Sequence, residues 1–338
     1  MYAPLTQYRH ITPVLIILSL GLVVALMVLG AAPPRTLILG WIIAGLLTLG
    51  IRHIVARFRL DGGASVKAFA ISWPLLTVVQ CSVICLFPSS SITPHPSPIT
   101  PNLSPLTLLA ILAIISLQMS LWQRRVAIIK HLLLGLIIGL ISTLHPHLIL
   151  IVLLLPIAGY YMRCLSPRNL LSAITGTALG IWIIYLIVCI LPLLGSKEGG
   201  IAAADRMIMA YLPPNLSPLI SNQVLPLGRG TEGVSLTPLT LYLVLLLFIH
   251  TLTSFAVDLG QSVRTEASII MLSIVSIAFI ALLFLDAAHL PVHLVTLAML
   301  LALLLTIHQA NAHHPLVEWW ILLIQLVGYV LALLPAVA

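Results

Sequence analysis

Eleven apolar runs, bounded by proline, glycine or charge, constrain this chain more than any other feature. They fall near residues 12–31, 36–55, 68–87, 103–121, 127–144, 147–164, 170–193, 237–257, 267–286, 290–308 and 318–336. A helix of about 20 apolar residues crosses the roughly 30 Å hydrocarbon core of a bilayer. Backbone polar groups in lipid must be satisfied internally, so runs of this length read as helices. The expected fold is an all-α integral membrane protein, a polytopic bundle of about 11 transmembrane helices. Residues 1–338 form a single polytopic membrane domain in this reading.

Composition agrees. Of 338 residues 61% are apolar and 7% charged, against about 25% charged in soluble proteins, which excludes a soluble enzyme. Fifteen Lys and Arg against eight Asp and Glu leave a net charge of +7. Cytoplasmic loops of membrane proteins collect Lys and Arg, so the surplus needs no nucleic-acid partner. Gly30-Ala31-Ala32 resembles a cleavage site, but the run before it is long enough to span and only Arg9 precedes it. The first helix is expected to be retained.

With the amino terminus cytoplasmic, Arg9, Arg52, Arg57, Arg59, Lys67, Arg124, Arg125, Lys130, Arg163, Arg168 and Arg264 all fall inside. Arg35, Lys197, Arg206 and Arg229 fall outside, the last three in one long loop where the positive-inside bias weakens. The expected location is a bacterial inner membrane, amino terminus cytoplasmic and carboxy terminus periplasmic. The runs 127–144 and 147–164, joined by His145-Pro146, form either two spans or a re-entrant hairpin. Removing both preserves every later orientation; removing one does not.

Two segments between runs are long. Residues 88–105 carry no charge and are dense in Pro and Ser, which reads as an extended outer loop. Residues 195–237 hold Lys197, Glu198, Asp205, Arg206, Arg229 and Glu232, and Ile201 to Tyr211 within them has the composition of a surface helix. Gly135-x-x-x-Gly139 and Gly176-x-x-x-Gly180 let helices approach closely and read as internal packing. The cysteines Cys81, Cys85, Cys164 and Cys189 lie in or beside apolar runs and read as packing too.

Ionisable residues inside a membrane are costly and therefore informative. Lys130, His131, His250 and Asp286 are the candidates, and none sits at a midplane position that a proton-coupled pump would need. Twelve histidines include His145, His147, His289 and His293, all expected at the outer face. A helix running through Pro291 would put Asp286, His289 and His293 on one face, at ligand-like spacing for a divalent metal. Proline at that position is expected to break such a helix. His308, His313 and His314 read as loop residues of the inner side. Arg206 and Arg229 are outward-facing groups shaped to hold a phosphate or pyrophosphate bidentately. The plainer alternative is that Glu198, Asp205 and Glu232 neutralise them in a salt-bridged loop. No Walker loop, His-Glu-x-x-His, Cys-x-x-Cys, Gly-x-Ser-x-Gly or dinucleotide fingerprint is present. Polyprenyl-phosphate-sugar glycosyltransferases commonly carry acids in the first outer loop, and residues 31–35 have none.

The stretch Leu144 to Gly180, with His-Pro at one helix end and Arg163, Arg168 and Asn169 at the other, and the Ser262 to Ser268 turn are similar to a Bacteroidota family of multi-pass inner-membrane proteins of unknown function. The resemblance implies an envelope location and no activity, cofactor or catalytic residue. Many helices with one large outer loop also resemble the arrangement of O-antigen polymerases and ligases. Three functions follow as expectations. The first is envelope biogenesis through a lipid-linked glycan, polymerase- or transferase-like, with Arg206 and Arg229 on a polyprenyl-linked phosphate. The second is a non-catalytic subunit docking with other subunits of a secretion or motility complex. The third is a transporter. Membrane lipids are partners in all three.

Overall fold

A computed structural model describes residues 8–58, 60, 65–86, 100–193, 238–256, 263–285, 290–311 and 315–337. Each apolar run of the sequence corresponds to one helix, and the described residues contain no strand. The helices are α1 (Tyr8–Val28), α2 (Pro34–Phe58), α3 (Ser65–Leu86), α4 (Thr100–Ser120), α5 (Ile128–Ser142), α6 (Ile151–Tyr161), α7 (Pro167–Leu193), α8 (Pro238–Ala256), α9 (Val263–Leu285), α10 (Leu290–Asn311) and α11 (Pro315–Val337), with a 3₁₀ turn at Pro146–Leu150 before α6. Four contain stretches long and apolar enough to cross a membrane by themselves: Pro34–Phe58, Pro167–Ile187, Val263–Leu283 and Pro291–His308. The other seven are apolar over shorter described stretches.

Proline sets many of the starts. α2, α7, α8 and α11 open on Pro34, Pro167, Pro238 and Pro315, where the missing N–H costs nothing because the first turn has no intrahelical acceptor for it. The same logic lets α10 begin at Leu290 with Pro291 next; residues 286–289 lie outside the described ones. It also corrects the reading of 88–105 as wholly extended: α4 begins at Thr100, keeps Pro101 in its first turn and contains Pro105. Residues 87–99 lie outside the described ones.

The chain divides into two packed units. Unit 1 comprises residues 1–112, 236–283 and 290–338, and unit 2 residues 113–235 and 284–289. In unit 1 the interior is built on α3 and α10. Every residue of α3 from Ile71 to Ser82 is buried except half-buried Trp73, and 89% of Pro291–His308 is buried. A helix apolar around its whole circumference has no face for water, and such a helix is buried. Around this interior, α2 buries Leu37, Ala44, Leu47 and Ile51 while exposing Leu39, Ile42, Leu46 and Leu49. A helix equally aliphatic on both faces is suited to protein on one side and lipid on the other.

Contacts fix the relative directions of several helices. Positions Gly40 and Gly45 of α2 meet Ile84 and Trp73 of α3, so contacts descend as the other strand of sequence rises and the two helices are antiparallel. Gln325 Nε2 reaches the Ile71 carbonyl at 3.4 Å and Gly328 faces Val78, so α11 runs parallel to α3. At one end of unit 1, Arg57 and Arg264 stack on Phe58 at 5.8 and 5.3 Å from the ring centre, which joins the end of α2 to the start of α9.

Unit 2 is held by α5 and α7, which lie parallel with their backbones in contact. A Cβ at Gly135 or Gly139 would collide with the carbonyl of Ala173 or Thr177, and one at Gly176 or Gly180 with that of Leu132 or Leu136. The two Gly-x-x-x-Gly sequences face each other, and their role is the internal packing expected. α5 has 15 residues and α7 has 27, lengths of about 22 and 40 Å. The close contacts end at Leu140 and Ile181. Since α5 stops at Ser142 and α7 continues to Leu193, α5 ends roughly 15 Å short of the tip of α7.

Candidate functional site

Polar side chains concentrate in two places, one in each unit. In unit 2 they surround Asn169, in the first turn of α7. Its Oδ1 accepts the Ala127 amide at 3.2 Å, and its Nδ2 donates to the carbonyls of Arg125 at 3.1 Å and Cys164 at 2.9 Å. Ser166, just before Pro167, caps the helix by accepting the Asn169 amide on Oγ at 3.2 Å, a hydroxyl satisfying one of the first-turn donors. Ser172 Oγ donates to the Ile128 carbonyl at 2.7 Å, and the Gln123 amide donates to the Met162 carbonyl at 3.0 Å. One buried amide thus joins the loop before α5, the loop before α7 and the start of both helices.

A small hollow beside Asn169 is lined by His131, Gly159, Cys164, Ser166 and Ala173, with room for about one water molecule. His131 donates from Nδ1 to the Ala127 carbonyl, 3.0 Å away. Cys164 is fully buried and unbridged. Both polar atoms of the Asn169 amide are engaged. This cluster is equipped to hold two loops together.

In unit 1, His250 of α8 and His308 of α10 meet with Nδ1 to Nδ1 at 3.3 Å and ring centres 5.5 Å apart. One nitrogen must carry the hydrogen and the other must accept it, so this contact holds a single proton. His308 is therefore not the loop residue expected from its place near the end of a run; it is half-buried within α10. Other polar groups line the same unit. Thr48, Ser82, Ser276, Thr296 and Thr306 return their hydroxyls to the carbonyl four residues earlier. The buried hydroxyls of Ser72, Thr77, Thr251 and Ser273 find no protein hydrogen-bond partner among the described residues.

The residues singled out for chemistry fare unevenly. Arg206 and Arg229 lie outside the described residues, as do Asp286, His289 and the Ile201 to Tyr211 segment. His293 is fully buried in α10, its ring centre 6.3 Å from that of Phe279. Among the described residues no three His, Cys, Asp or Glu side chains gather to hold a metal ion. Lys130 donates to Ser120 Oγ at 3.3 Å. Cys81 and Cys164 are buried and unbridged, consistent with packing. Asn169 carried no signal in the sequence beyond standing near a helix start; its partners at 125 and 127 lie more than 40 residues away. No family model, curated protein or solved structure matches the chain.

Proposed function

We propose that this chain is an eleven-span protein of a bacterial inner membrane that handles a lipid-linked glycan at the outer surface, in the manner of a polymerase or transferase. Arg206 and Arg229 hold the phosphate of the polyprenyl carrier. The observation that carries the membrane part is the exposure of aliphatic side chains on helices that also bury aliphatic ones, such as Leu39 and Leu46 beside Leu37 and Leu47 of α2. The parity of the spans supports the topology. α3 runs antiparallel to α2 and parallel to α11, and α5 parallel to α7, as strict alternation requires of odd and even spans. The meeting of Arg57 with Arg264 on Phe58 agrees with both belonging to the cytoplasmic side.

The glycan part rests on residues 195–237, the longest segment between apolar runs, where guanidinium groups are available to a phosphate. Replacing Arg206 or Arg229 by Ala is expected to abolish glycan maturation at unchanged protein level. A normal glycan profile in both variants ends this reading. Reporter fusions placing both termini in one compartment end the topology.

Transport is the second reading, favoured by the buried hydroxyls of Ser72, Thr77, Thr251 and Ser273 in unit 1, which suit a hydrated polar path. Cysteines placed at Thr77 and Ser273 would then react with a membrane-impermeant thiol reagent. Complete protection of both returns unit 1 to a purely structural role.

A further inference from the structure

Unit 2 presents an unusual balance of charge at the end where α5 and α7 begin. From Asp61 to Glu198 the intervening sequence contains no acidic residue, so the described part of unit 2 has no side-chain carboxylate. Within it, Arg124, Arg125, Arg163 and Arg168 are all exposed. Two ties hold together the backbone segments that carry them. Arg124 and Arg163 each follow a member of the Gln123 to Met162 hydrogen bond. Arg125 offers its carbonyl to Asn169, the neighbour of Arg168. Gln123 and Arg163 adopt left-handed backbone conformations, with φ of 56° and 53°, which non-glycine residues keep only where surrounding contacts enforce them.

Sorting of positive charge to one side of the membrane requires only that cations be present. It does not require four arginines on cross-tied loops. The surface immediately beside them is apolar: Val126, Ile129 and Leu165 are 70%, 82% and 48% exposed. Tyr160 and Tyr161, the last residues of α6, are also exposed and pack edge to face at 5.5 Å. Tyrosines of this kind mark the headgroup level. A cationic rim above an exposed aliphatic band matches a molecule with an anionic head and hydrocarbon tails.

We infer that this end of unit 2 is a binding platform for anionic phospholipid, with the phosphate on Arg124, Arg125, Arg163 and Arg168 and the acyl chains against Val126 and Ile129. Guanidinium forks engage phosphate oxygens bidentately, and fixed loops lower the ordering cost of gathering four of them. The platform uses none of residues 195–237 and stands whether or not those residues bind a glycan carrier.

The test uses the full chain in bilayer discs made from equal amounts of phosphatidylglycerol and phosphatidylcholine, with lipid retained after mild detergent extraction measured by native mass spectrometry. The wild type is expected to retain phosphatidylglycerol preferentially. Each cation at an anionic surface is worth roughly fivefold in partition, so R124Q/R125Q/R163Q/R168Q is expected to cut the preference by at least about tenfold. The unit 1 control R35Q/R52Q/R57Q is expected to keep it. Should the fourfold variant fail to elute as a folded protein, R124Q/R163Q replaces it, with a smaller loss expected in the same direction. Equal retention of the two lipids by the wild type overturns the proposal, as does an equal loss in the unit 1 control. Displacement of the lipid by inorganic phosphate alone would assign the platform to a free anion and overturn the lipid assignment.

Discussion

Units 1 and 2 are both made of apolar helices, yet they pack by different means. Unit 2 presses α5 against α7 backbone to backbone, with four glycines facing carbonyls that would collide with any added Cβ. Unit 1 fills its interior with large side chains around α3 and α10, and its α2 glycines face side chains and not main chain: a Cβ at Gly40 or Gly50 would press on the ends of Ile84 or Leu112, and Gly45 faces the Trp73 ring at 3.6 Å, an ordinary contact. In lipid the hydrophobic effect gives helices little reason to associate, so close packing and hydrogen bonds must do it. Unit 2 achieves this by near-contact of main chains and one multiply bonded amide. Unit 1 does so by enclosing two helices and by bonds between helices such as that from Gln325 to the Ile71 carbonyl.

The largest expected effect tests that contrast at its centre. Gly176→Leu places a branched side chain where even a Cβ meets the Leu132 carbonyl, and α5 and α7 must separate to admit it. Overpacking commonly costs about 1–3 kcal/mol when side chains can adjust; backbone on both sides leaves less scope here, so loss of the folded protein is expected. Gly45→Ala in unit 1 is expected to shift stability by less than about 1 kcal/mol. Unfolding in detergent, followed by loss of helical signal or by aggregation temperature, compares the two. Equal tolerance of both changes would mean the close approach of α5 and α7 is dispensable.

Next in size is Asn169→Ala, which removes three hydrogen bonds and leaves the Ala127 amide and the carbonyls of Arg125 and Cys164 to find other partners. At about 1 kcal/mol per bond, with more where a buried group is left unpaired, a loss of about 3 kcal/mol is expected. Asn169→Asp retains the acceptor and loses the donors, directing a carboxylate at two carbonyls, and is expected to be no better than Ala. A rescue by Asp would show that the Ala127 bond alone matters.

Much of the architecture was legible because apolar run length and proline position are local properties. The eleven helices follow the runs, and α2, α7, α8 and α11 open on proline. The glycine spacing was visible too. What no local pattern could show was that the two Gly-x-x-x-Gly sequences, 41 residues apart, would be each other's partners, since such spacing is common in apolar helices. Asn169 and His308 were missed for a related reason. Asparagine near a helix start reads as a cap, and its importance lies in bonds to residues 125 and 127; histidine near the end of a run reads as interfacial until a second ring is found against it. The expected outer site at Arg206 and Arg229 lies beyond the described residues, so its geometry rests on the sequence.

The smallest effect expected belongs to that second ring. His250 and His308 meet through their Nδ1 atoms inside a unit whose core is mostly aliphatic, so their contact offers a measure of how much one polar bond adds there. Replacing either by Leu keeps the bulk and removes the pairing; replacing both removes the donor and the acceptor together. A hydrogen bond between neutral groups contributes about 0.5–1.5 kcal/mol, and leaving one partner alone costs more than removing both. The double variant is therefore expected to be more stable than the sum of the single losses implies, with a coupling of about 1 kcal/mol from the four-variant cycle. Additive losses would show that the two imidazoles pack as shapes only and that their Nδ1 contact couples α8 to α10 by no measurable energy.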